Sequence, residues 1–154
     1  MIKTILVIGG VGCFIFTGFL LFMAYSGIAA AMRDEEGNFK KELNFKSILG
    51  AIMFVGFLLG ILLAANMNYI QSQTASPTFI QLWCNSLGVF FVIHLYDLLV
   101  LDYLIIVKWN PRFLNLPNTG YYNTMRPHIK GFFKGIPIGV IASLISSLIA
   151  FGML

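Results

Sequence analysis

The sequence predicts an all-α polytopic membrane protein: one domain over residues 1–154, a bundle of four transmembrane helices with both termini outside (N-out, C-out). Three observations predict it. Hydrophobic residues make up 58% of the chain and charged residues 10%, whereas a soluble domain needs about 25% charged residues to cover its surface. The apolar residues fall into four long runs. The Lys and Arg residues collect in two of the three connections.

The runs are residues 4–32, 48–65, 79–107 and 135–154; cysteine and tyrosine aside, only the third contains ionisable side chains, His94, Asp97 and Asp102. Each matches the about 20 residues a helix needs to cross a hydrocarbon core of about 30 Å. Backbone groups in lipid must be satisfied within the segment, so each run is read as a helix. The expected helices are about 4–32, 47–66, 77–107 and 128–154, with a long basic loop over 108–127.

The first run is too long, and its Gly-rich start too uncharged, for a cleaved signal peptide. Its Gly9-Gly10-Val11-Gly12 is out of place for a nucleotide loop. In the third run, Ser76 is expected as N-cap with Pro77 at the first helical position. Pro137 is expected to kink or restart the fourth helix, because it removes one backbone donor.

Orientation follows from the ten basic residues. Lys3 stands alone; Arg33, Lys40, Lys41 and Lys46 fall in the first loop, and Lys108, Arg112, Arg126, Lys130 and Lys134 in the third, while residues 66–78 carry no charge. Basic residues stay on the cytoplasmic side of short loops, so the first and third loops are expected inside. The excess of basic charge at this face points to the lipid bilayer and its anionic headgroups as partners, and not to nucleic acid. Arg112, Arg126, Lys130 and Lys134 are the candidate headgroup-binding residues.

That orientation decides the reading of Leu116-Pro117-Asn118-Thr119-Gly120, a pentapeptide resembling a sortase sorting signal. It is expected in the cytoplasm, where no sortase acts. Its basic residues also precede the following apolar run, where a sorting signal implies that they follow it. Pro, Asn and Gly are ordinary turn residues, and the pentapeptide is read as a turn.

Small residues recur every fourth position: Gly131, Gly135, Gly139, Ser143 and Ser147 in the fourth helix, and Gly56, Gly60 and Ala64 in the second. In lipid, small residues let helix backbones approach. The two stripes are expected to pack the second helix on the fourth; the alternative is a seam with a second copy or another membrane partner.

His94, Asp97 and Asp102 need a reason to lie in an apolar run, since a charge at the bilayer centre costs about 3 kcal/mol on insertion scales. As an α-helix, His94 and Asp97 share a face, and Asp102 falls about 80° to the other side of His94. His128, at the start of the fourth helix, is a candidate partner. These four are the candidate ion- or ligand-binding residues. Structural alternatives stand beside them: a rim salt bridge for Asp102 to Arg or Lys, an interior histidine bonded to Asp97, Ser or Asn for His94, and a solvated loop position for His128.

The chemistry admits a proton or cation relay through His94 and Asp97, or a divalent metal on the same two residues as a possible cofactor. Haem is disfavoured because no second histidine lies deep. Arg126-Pro127 is all that the chain shares with the lipid-phosphatase pattern, and the multi-Asp pattern of CDP-alcohol transferases is missing. The leading reading is a cation- or polar-ligand-binding protein at the cytoplasmic side of the bundle, related to transport. A structural or assembly subunit is the alternative, and an intramembrane enzyme the third. Cys13 and Cys84 lack metal-ligand spacing, and a disulfide between them is open but not implied.

The stretch Asp97-Leu98-Leu99, Asp102-Tyr103, Pro111-Arg112-Phe113, residues 116–120, His128 and Gly131-Phe132-Phe133-Lys134-Gly135 resembles small four-helix bacterial membrane proteins of no assigned function. The resemblance covers about the last 60 residues. It implies a bacterial cytoplasmic (inner) membrane location and marks the third helix and its following loop, and it carries no activity.

Overall fold

A computed structural model describes residues 1–32, 44–111 and 123–154. Arg33, Lys40, Lys41, Arg112, the 116–120 pentapeptide, Tyr121 and Tyr122 lie outside the described residues. No strand occurs among the described residues. Four helices are long and apolar enough to cross a membrane: Ile2–Tyr25, Phe45–Gln71, Phe79–Trp109 and Met125–Gly152.

Helix α1 (Ile2–Tyr25) stops sooner than the apolar run does. Gly27, at φ +71°, takes the left-handed conformation that closes many helices, and a short α2 (Ile28–Met32) follows. Helix α3 (Phe45–Gln71) opens on a reciprocal capping box between Asn44 and Ser47. Helix α4 (Phe79–Tyr96) opens on a second box between Thr78 and Gln81. Thr78 is therefore the cap where Ser76 was expected: Pro77 forces Ser76 into an extended conformation and leaves the next hydroxyl to meet the helix.

Beyond Tyr96 the same helix continues in π winding from Asp97 to Trp109. It ends at Asn110, whose left-handed backbone (φ 42°) accompanies a bond from its N–H to the Ile105 carbonyl five residues back, at 2.9 Å. Helix α5 (Met125–Gly152) runs through Pro137 without restarting. It also starts earlier than expected, so Pro127 sits in its first turn, where a missing donor costs little.

Helix α4 packs against α1, α3 and α5. Alongside α1 it runs parallel: Ile5 covers Gly88, Val92 covers Gly9, and Ile93 covers Gly12. Alongside α5 it runs antiparallel: the Phe90 ring covers Gly139, and His94 covers Gly135. Leu62, Ala65, Leu82, Val89 and Ala150 form the fully buried apolar core, and Phe19 stacks on Phe57 at 4.4 Å.

The exposed faces carry large apolar residues, Phe14, Ile52, Phe133 and Leu148 among them, while Asn66, Asn85, Ser86, Ser143, Ser146 and Ser147 are fully buried. That inverts the distribution of a water-soluble domain and suits a bundle solvated by hydrocarbon. The molecule is a small multi-pass membrane protein.

The two small-residue stripes part company. Gly135, Gly139, Ser143 and Ser147 point into the bundle, but Gly131 has nothing within 4 Å of the position its Cβ would take. A four-residue step drifts about 40° around the helix, so five members turn through about 160° and cannot all face one seam. On α3, Gly56 and Gly60 likewise meet nothing within 4 Å. Leu62, Ala65, Asn66 and Tyr69 take the inward face instead, and Gly60 lies about 160° from Leu62. Helices α3 and α5 touch through Asn66 and Ser147.

Cys13 and Cys84 are free thiols, the first buried and the second exposed.

Candidate functional site

His94 is the midpoint of the 31-residue span Phe79–Trp109. Its Nε2 lies 2.9 Å from the Phe132 carbonyl oxygen on α5. A carbonyl only accepts, so Nε2 carries a hydrogen and donates it. The imidazole stacks on Phe132 at 4.3 Å and on Phe90 at 4.9 Å. A Cβ on residue 135 would fall 2.7 Å from His94 Cε1, so Gly135 makes the space the ring occupies. The backbone of Phe132, and not Asp97 or a Ser or Asn, satisfies His94. Sequence carries no signal for that partner, because every residue has a carbonyl.

His128 and Asp102 pair: His128 Nδ1 lies 2.8 Å from Asp102 Oδ1, with the side chains 1% and 19% exposed respectively. His128 is thus a buried residue in the first turn of α5, not a solvated loop residue, and among the described residues it is the partner of Asp102. At that distance Nδ1 and the carboxylate oxygen share a hydrogen bond.

The π winding explains why the pair forms. An α-helix advances about 100° per residue, and π winding about 80°. Three α steps from His94 to Asp97 and five π steps to Asp102 leave Asp102 within about 20° of the His94 direction, against about 80° in an unbroken α-helix. Both side chains then face α5, one after the other along the seam. His94, Asp102 and His128 belong to one seam; Asp97 is half-buried at the junction where α winding becomes π winding.

Among the described residues, no three His, Cys, Asp or Glu side chains gather as a metal-binding group. His94 Nε2 is committed to a carbonyl, and its ring stacks on Phe90 and Phe132. With Nε2 donating, Nδ1 is the ring nitrogen of His94 that keeps a lone pair.

Arg126, Lys130 and Lys134 are exposed and lie four residues apart on one stripe of α5. Arg112 lies outside the described residues.

Phe90, Asn66, Asn85 and Ser86 were not singled out from the sequence. Asn85 and Ser86 could have been, as polar breaks in an apolar run; Phe90 could not, since its role depends on the glycine opposite. The chain matches no protein-family model, no curated protein and no solved structure.

Proposed function

We propose that this is a multi-pass protein of a bacterial cytoplasmic membrane in which the Asp102–His128 pair, with His94 behind it, binds and releases a proton in transport across the bilayer. The 2.8 Å contact between a buried imidazole and a largely buried carboxylate supports the reading. With a neutral imidazole the pair carries one negative charge; taking up one proton neutralises it. A charge change in a low-dielectric site is energetically large, so protonation can bias the packing of the π segment on α5. Histidine is suited to this because it titrates near physiological pH. A proton suits the site because Nε2 of His94 donates to a carbonyl and leaves Nδ1 to accept.

The exposed Arg126–Lys130–Lys134 stripe fits anionic lipid headgroups at the same end of the bundle, each such residue contributing about 1 kcal/mol of attraction near the surface.

Purified protein in liposomes containing a pH-sensitive dye tests the reading under an imposed potassium diffusion potential. Proton entry above that of empty liposomes is expected, with loss in Asp102→Asn and in His128→Leu. Wild-type entry equal to that of empty liposomes would overturn it.

A second reading is an assembly subunit, favoured by Gly56, Gly60 and Ala64 on the exposed face of α3. Such a face suits another transmembrane helix, from a second copy or another protein. Gly60→Leu should then lower cross-linked species in membranes, and unchanged cross-linking counts against it.

A further inference from the structure

At the opposite end of the bundle, Asn66 of α3, Asn85 and Ser86 of α4, and Ser143 and Ser147 of α5 meet with no exposure at all. Asn66 Nδ2 donates to Ser147 Oγ at 3.1 Å. Asn85 Nδ2 donates to Asn66 Oδ1 at 3.2 Å and to the Ala65 carbonyl at 3.1 Å. Ser147 Oγ donates to the Ser143 carbonyl at 2.7 Å and lies 3.4 Å from Ser86 Oγ.

The network does not close. Asn85 Oδ1 and Ser143 Oγ are buried without a protein partner, as is Ser146 Oγ beside them in the chain. An amide uses four hydrogen-bond positions, two donating and two accepting, and Asn85 fills only the donating half. Buried polar atoms in native proteins are satisfied by protein or by ordered water. What is missing must donate to an amide oxygen and can accept from a serine hydroxyl. Water does both. A cation would draw on the same oxygens but bring an uncompensated charge into hydrocarbon, where neither Asn nor Ser can balance it.

We propose that this Asn/Ser cluster is an internal hydration site that holds ordered water within the bundle. Its place gives it a use. On α4, Ser86, Phe90 and His94 follow at four-residue intervals on one stripe. Phe90 fills the slot above Gly139 and stacks on His94. Phe90 therefore lies between the cluster and the His94 seam along α4. If the proton reading above holds, the water is the far leg of the path and Phe90 its barrier; the hydration site itself does not depend on that reading.

Solid-state NMR on the full chain in bilayers tests it, by magnetisation transfer from water to the side-chain amide of Asn85. Transfer is expected in the wild type and should fall in Ser143→Ala, which removes a hydroxyl without adding bulk. Absence of transfer in the wild type would overturn the proposal, as would a sodium-dependent shift of the Asn85 signals in its place. Should Ser143→Ala fail to fold, Ser146→Ala serves, and the wild-type spectrum decides alone. The liposome assay is read separately: Phe90→Ala should raise proton entry if the wild type conducts at all. Water transfer without any conduction would sustain the hydration site and sink the transport reading.

Discussion

His128 Nδ1 and Asp102 Oδ1 lie 2.8 Å apart and join the first turn of α5 to the π-wound end of the preceding span. The contact holds together two segments separated in sequence by the basic loop. It also sets what substitutions there should do.

Asp102→Asn retains an oxygen that accepts from His128 Nδ1, so the fold should survive with little change in thermal stability in detergent. Asp102→Leu removes the acceptor and leaves a buried donor unmatched, a loss of about 1–3 kcal/mol. Equal melting temperatures for the two variants would show that the pair contributes nothing to packing.

His94→Ala deletes a ring stacked on Phe90 and Phe132 and the bond to the Phe132 carbonyl. Large-to-small changes of this kind cost about 2–5 kcal/mol when the site cannot collapse. Chaotrope unfolding of the purified protein should show it. A loss under about 1 kcal/mol would mean that α4 and α5 close up around the gap.

Gly139→Ala and Gly131→Ala should differ sharply. The first drives a methyl group into the Phe90 ring, and overpacking costs about 1–3 kcal/mol. The second points into open space and should leave stability unchanged or raise it, since alanine is the better helix former. Thermal scans of both variants in one detergent make the comparison.

Orientation is tested by single cysteines at Ser72 and Asn110, both exposed, in a background where Cys13 and Cys84 are replaced. A membrane-impermeant thiol reagent should label the first in intact cells and the second after permeabilisation. Labelling at Asn110 in intact cells reverses the topology and returns residues 116–120 to the outside.

Four spans were legible in the sequence because hydropathy is a local property: a run such as residues 79–107 must become a helix in hydrocarbon whatever packs beside it. The small-residue spacing in α5 was legible for the same reason. Ser26-Gly27 carried a readable turn signal, and the structure uses it to end α1 early. Which face each stripe presents was not legible. Gly56 and Gly60 have the same spacing as Gly135 and Gly139, yet the first pair faces outward and the second inward. Spacing defines a stripe but not its neighbour. Only the tertiary structure decided the site: the π winding that turns Asp102 toward α5, the early start of α5 that buries His128, and the Phe132 carbonyl that accepts the hydrogen bond of His94. Each depends on what lies across the seam, and a residue's own neighbours in sequence contain no record of that.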